Sequence, residues 1–267
     1  MKKGFTLVEL SIVLIIIGML VGGILIGQNL IESAKINSFV RQMQQIDAAA
    51  SLFKDKYKSI PGDADIARAA NRLGGGPMVP TKKDGILCDD DCANNTFWTN
   101  NEAQNFFYDL NVLSNVKFEN CPSFSNAFSW EMITSGPNCN VPTAKLGQKA
   151  MIFITYTSNN PALNTNLYNM FDCTGMAASG GWYNAANGGG STGGCKLPFT
   201  GGQAYAYDNK VDDGLATSGN VVSSTTNYGN VTWQGYDGDQ TVAGAQSAYN
   251  VSSRDLTHAL TQKVGVK

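Results

Sequence analysis

The feature that most constrains this chain is the apolar run from Phe5 to Ile26, in which the only ionisable side chain is Glu9. As a helix it is roughly 33 Å long, enough to cross the ~30 Å hydrocarbon core of a bilayer. Lys2 and Lys3 lie on the short side of the run and are expected to stay in the cytoplasm, which places everything after Gln28 outside. No small-residue cut site closes the run, so a cleavable secretory signal fits poorly. A carboxylate inside such a helix costs on the order of 2.5 kcal/mol unless it is paired, so Glu9 needs a partner. The positive end of its own helix is one candidate, and a group on another molecule is the other.

Gly4-Phe5-Thr6-Leu7-Val8-Glu9, after the short leader Met1-Lys2-Lys3-Gly4, resembles the processing signature of type IV pilins and type II secretion pseudopilins. The likeness is close over about the first 35 residues and looser as far as Tyr57. It implies cleavage by a prepilin peptidase between Gly4 and Phe5, methylation of the new Phe5 amine, and an assembly role for Phe5 and Glu9. The amine of one subunit would neutralise Glu9 of the next, which rewards one axial stagger over others. The resemblance further implies a helical filament of identical copies and an inner-membrane assembly machinery as partners. Before assembly the chain would be a single-pass inner-membrane protein with its head outside the cytoplasm. Afterwards it would be an extracellular or periplasmic filament.

Past Gln28 the apolar residues thin into one stripe, Ile36, Phe39, Met43, Ile46, Ala50, Phe53 and Tyr57, spaced alternately by three and four. This predicts a one-faced amphipathic helix that continues the membrane segment and packs on a body. Pro61-Gly62-Asp63 is expected to stop it, after about 80 Å of helix. The chain thus divides into a leader 1–4, a membrane and polymerisation helix 5–30, its amphipathic continuation 31–60, and a globular head 61–267. Gly18, Gly22, Gly23 and Gly27 allow close helix approach or local unwinding in a filament.

Net charge is −2, and about −4 once Lys2 and Lys3 are removed, which is no electrostatic footprint for nucleic acid. With only 15 % charged residues and 29 glycines, the composition suits an extracellular, loop-rich, β-containing domain. All six cysteines, Cys88, Cys92, Cys121, Cys139, Cys173 and Cys195, lie beyond the membrane run, as expected of an oxidising compartment. They allow roughly fifteen pairings, of which sequential pairing is the simplest: Cys88 with Cys92, Cys121 with Cys139, Cys173 with Cys195. Zinc is the rival reading, yet Cys88 and Cys92 lack a matching second pair and the one histidine, His258, is remote.

The head reads as α+β. Asp63 is expected to cap a short helix over 64–73, and a capping box of Thr99 with Glu102 opens a better one carrying Ala103, Phe106, Phe107, Leu110 and Leu113. Strands are expected over 149–156, 204–207, 220–223 and 230–233, with a turn at Asp213-Gly214 between the second and third. An antiparallel sheet of such strands, with disulfide-clipped loops, would bury the stripe, and the pilin resemblance implies the same arrangement. The glycine- and asparagine-rich segment 179–194, bracketed by Cys173 and Cys195, reads as an exposed contact loop.

Asp208, Asp212 and Asp213, with Asp237 and Asp239 downstream, offer hard oxygen ligands beside a turn, which is the donor chemistry of calcium. Some pseudopilins bind calcium near the end of the sheet, so the resemblance favours this reading. The spacing is no EF-hand, and a merely solvated acidic turn is the plain alternative. The glycines of 188–194 lack the lysine of a phosphate loop. His258, in the polar stretch 252–263, reads as a helix-surface residue, and no catalytic constellation emerges. The expected function is therefore structural rather than enzymatic, as the subunit of a type IV pilus or pilus-like filament. The alternatives are a type II secretion pseudopilin and a membrane-tethered or filament-tip binding protein such as an adhesin.

Overall fold

The computed structural model describes residues 6–63, 84–87, 101–112, 114–118, 121, 141–146, 150–156, 166–172, 197–216, 218–224, 249, 251 and 256–265. Helix α1 runs from Leu7 to Tyr57, 51 residues and about 77 Å. Its large side chains from Leu7 to Ile31 are exposed, whereas from Ile36 onward the stripe turns inward. Phe39 and Ala50 are fully buried, Met43, Ile46 and Phe53 nearly so, and Tyr57 leans on Phe53 with ring centroids 4.5 Å apart. Burying Phe39, Met43, Ile46 and Phe53 contributes roughly 1.5–3 kcal/mol each, and this holds the rod to the head.

The helix stops earlier than Pro61. Lys58 adopts the left-handed conformation, φ 57° and ψ 28°, and its N–H donates to the Lys54 carbonyl at 2.8 Å. Gly62, at φ 94°, then turns the chain a second time. Asp63 is buried, and its carboxylate accepts from the Gly85 N–H at 3.0 Å and the Ser59 hydroxyl at 3.2 Å. The helix expected over 64–73 lies outside the described residues.

Helix α2, Asn101–Val112, buries Phe106, Phe107 and Leu110. Phe106 meets Phe107 and Tyr168 edge-on at 5.2 and 6.0 Å, and Phe107 meets Phe118 at 5.8 Å. The cap residue Thr99 is outside the described residues, and so is Leu113.

The sheet has five strands: β1 Met151–Tyr156, β2 Asn166–Phe171, β3 Phe199–Thr200, β4 Val221–Ser224 and β5 Leu256–Lys263. All pairings are antiparallel, in the order β1-β2-β5-β3, with β4 also on β5. Leu260 of β5 pairs with Met170 of β2 and with Ser223 of β4, so those two strands flank β5 on opposite edges. Phe199 of β3 pairs with His258 farther back along β5. Helix α3, Gly201–Val211, follows β3 directly and packs against α1 and β5. Phe39 lies 4.6 Å from the Tyr207 ring and 6.2 Å from Phe199. Asp47 joins helix to sheet, its Oδ1 accepting from the Tyr168 hydroxyl at 2.9 Å and the Gly265 N–H at 3.1 Å.

Two expectations are corrected. Residues 204–207, expected as a strand, belong to α3. Thr200 Oγ1 accepts from the Gln203 N–H at 3.2 Å and Gln203 Oε1 from the Thr200 N–H at 3.1 Å, a capping box that commits the segment to a helix. Ala204, Tyr207 and Asp208 then share its buried face. His258, expected on a helix surface, lies in β5. The polar sequence misleads there because β5 is an inner strand whose Gln262 is buried and accepts a hydrogen bond from Tyr207. Strands β1 and β4 fall within a residue or two of expectation, β2 and β3 were not expected, and the strand over 230–233 lies outside the described residues. So do five of the cysteines and their pairing. Cys121 is fully buried and disulfide-bonded, its Sγ 3.6 Å from the Val141 carbonyl oxygen.

Candidate functional site

The first turn of α1 is built by Thr6 and Glu9. Thr6 is extended, φ −77° and ψ 153°, and its Oγ1 accepts from the Glu9 N–H at 3.3 Å. In return Glu9 Oε2 accepts both the Thr6 N–H and the Thr6 hydroxyl, each at 2.8 Å. This capping box serves backbone donors that have no partner within the helix. Among the described residues both of these charge-assisted bonds fall on one oxygen, which leaves Oε1 able to accept from another donor. Gly4 and Phe5 lie outside the described residues. Thr6-x-x-Glu9 is a capping-box pattern legible in the sequence, and the cap is a role of Glu9 that the membrane reading passed over.

Above that turn the helix is an unpartnered apolar rod. Exposure of its large side chains between Leu7 and Ile31 runs from 49 % at Ile17 to 85 % at Leu7. Among the described residues α1 is the one helix long and apolar enough to cross a membrane, and none of that window is buried in the chain. A Cβ added at Gly18, Gly22, Gly23 or Gly27 would meet nothing within 4 Å. Nothing among the described residues therefore requires glycine there, although each costs about 1 kcal/mol of helix propensity relative to alanine.

The acidic turn is drawn together as expected by Asp208, Asp212 and Asp213, each with a carboxylate oxygen within 4.8 Å of the others. Asp208 projects from α3 and is fully buried. Its Oδ2 accepts from the Tyr249 hydroxyl at 2.7 Å, while Oδ1 has no hydrogen-bond partner among the described residues. Burial pushes its carboxyl up to about 6, with Asp213 and Asp212 adding to the rise against the Tyr249 and Gly214 hydrogen bonds. Asp212 ends α3, and its Oδ2 accepts from the backbone N–H groups of Asn220 and Val221, the latter at 3.0 Å. Asp213 Oδ2 accepts from the Ser218 hydroxyl at 2.7 Å and Oδ1 from the Leu215 N–H at 2.8 Å, bonds that hold its carboxyl below the usual range. The donor set suits calcium, and the orphaned Asp208 oxygen fits a cation. The remaining bonds would also hold the turn without one. Asp237 and Asp239 are outside the described residues.

The family described as the prokaryotic N-terminal methylation motif matches residues 1–25, which include Gly4, Phe5 and Glu9. This is the signature of type IV pilins and pseudopilins, a class of structural proteins, and it implies in general processing by prepilin peptidase and filament assembly. No curated protein and no solved structure matches the chain.

Proposed function

We propose that this chain, with its pilin-type methylation signature, is a structural subunit of a type IV pilus or pilus-like filament. The observation that carries the reading is the wholly exposed apolar surface from Leu7 to Ile31, interrupted by one carboxylate near its start. Among the described residues the head buries the stripe from Ile36 to Phe53, and none of the large side chains from Leu7 to Ile31 is buried. Those residues are thus available for another environment, lipid before assembly and copies of the same helix after it.

Exchanging lipid for helix contacts changes little hydrophobic free energy, so selectivity must come from packing and polar pairing. Glycines with empty surroundings permit close approach of a second helix. Glu9 Oε1 remains open to the Phe5 amine of a neighbour after cleavage between Gly4 and Phe5, while Oε2 stays on the cap. The head, clipped by its cysteines, would stand on the filament surface. Mass spectrometry of the mature N-terminus is the direct test, with a methylated Phe5 expected and a retained Met1 contradicting the reading. Glu9→Ala should remain membrane-bound and fail to assemble, and normal filaments from it would remove the role given to Glu9. Surface fibres would assign the chain to a pilus, and short periplasmic assemblies tied to export would assign it to a secretion pseudopilus. Loss of all helix-to-helix crosslinks would favour a monomeric binding protein.

A second reading rests on Asp208 Oδ1, which is buried and has no hydrogen-bond partner among the described residues. Calcium held by Asp208, Asp212 and Asp213 would neutralise three clustered carboxylates and tie the end of α3 to the start of β4.

A further inference from the structure

We propose that Thr6 positions Glu9 for assembly: its hydroxyl holds one carboxylate oxygen on the helix cap and so presents the other to the Phe5 amine of a neighbouring copy. The inference rests on the filament-subunit reading and adds a residue to it. A capping box needs only a side-chain acceptor at the N-cap and a carboxylate for the N-cap N–H. Both are present: Thr6 Oγ1 accepts from the Glu9 N–H at 3.3 Å, and Glu9 Oε2 accepts from the Thr6 N–H at 2.8 Å. The Thr6 hydroxyl then does more than the cap requires, donating to the same Oε2 at 2.8 Å. That further bond serves the carboxylate rather than the backbone.

Its consequence is orientation. A free glutamate side chain is rotamer-rich, and ordering it at an interface opposes association. Two donors on one oxygen order the Glu9 side chain before any neighbour arrives, so less ordering is left to oppose pairing. The same bonds leave the carboxylate short of donors. Ionised, it can accept about four hydrogen bonds, whereas Thr6 is the only partner of the Glu9 side chain among the described residues. The exposed side chains of Leu7, Val8, Leu10 and Ile12 are apolar and have no donor to offer. In hydrocarbon the shortfall falls on Oε1, and a methylated Phe5 amine of another copy still carries N–H donors to meet it.

The test follows the full chain in cells carrying its assembly machinery, by mass spectrometry of the mature N-terminus, membrane fractionation, and lateral photo-crosslinking from a benzophenone side chain in place of Leu10. Thr6→Gly separates the two roles of the residue, because glycine is nearly as good an N-cap as threonine but has no hydroxyl. It should be processed and membrane-bound like the wild type, with lateral crosslinks reduced about tenfold, the loss expected for a hydrogen bond to a charged group. Thr6→Ser should keep them at the wild-type level. Undiminished crosslinks in Thr6→Gly, or an equal deficit in Thr6→Ser, would overturn the role of the hydroxyl. So would a retained Met1 in Thr6→Gly, which would place Thr6 in peptidase recognition instead. Glu9→Ala shows which reading has failed: undiminished crosslinks in both Glu9→Ala and Thr6→Gly remove the pairing at Glu9 itself, whereas a deficit in Glu9→Ala alone removes only the part given to Thr6.

Discussion

Replacing Asp208 by asparagine should stabilise the head at pH 7 and leave it unchanged near pH 4. The carboxyl is fully buried and pushed from 3.8 up to about 6, chiefly by burial. Between those values the native state holds a proton that the unfolded chain has already lost. Stability is therefore fully present below the unfolded value and declines as pH rises from about 4 through about 6. Two units correspond to about 3 kcal/mol, and screening at the exposed side of the acidic turn brings the expected effect to about 1–2 kcal/mol. Asparagine keeps an acceptor for the Tyr249 hydroxyl without the charge. Burial also raises Asp47, so the difference between wild type and variant, rather than the wild-type profile, isolates Asp208. The assay is chemical unfolding of the full chain in detergent with a chelator, followed by near-UV circular dichroism from pH 4 to 8. A difference that stays flat across that range, or a variant less stable at pH 7, would refute the burial argument. Repeating the titration with millimolar calcium decides the second reading. An ion bound by the three carboxylates stabilises the wild type as pH rises and removes or reverses its deficit against the variant, and an unchanged difference leaves a solvated turn.

Phe39→Ala should cost about 3–5 kcal/mol, because the ring is fully buried between Tyr207 and Phe199 and leaves a cavity at the helix–head junction. A loss below about 1.5 kcal/mol in the same unfolding assay would mean that α1 is held mainly elsewhere. Gly219→Ala should cost about 1–3 kcal/mol, since φ is +82° and the new Cβ would collide with the Asp212 carboxylate that clamps Asn220 and Val221. Unchanged hydrogen-exchange protection in β4 would contradict this. Thr6→Val removes the hydroxyl of the capping box and should cost the first turn of α1 about 0.5–2 kcal/mol, with Thr6→Ser restoring it. Equal amide exchange over Leu7–Leu10 in all three proteins would show that the cap contributes nothing.

The long helix was legible because its evidence is local and repeated. Alternate spacings of three and four between Ile36 and Tyr57 identify the buried face without knowledge of what covers it, and Phe39, Met43, Ile46, Ala50 and Phe53 are buried as that spacing requires. The methylation signature is equally local. The aspartates of the acidic turn also meet as expected, because only a few residues separate them and a turn brings them back together.

What lay beyond reach depended on distant partners. Residues 204–207 became helix through a local cap, Thr200 with Gln203, that the strand reading passed over, and through a distant one, a face fitted to Phe39 of α1. Strand β5 looked polar because its Gln262 is satisfied by Tyr207, 55 residues away. Gln42 grips the Thr143 carbonyl, 101 residues onward, a contact that no local pattern announces. Periodicity along a chain records which face is to be buried, whereas the identity of the covering surface is settled only when hydrogen bonds and packing close between elements far apart in sequence.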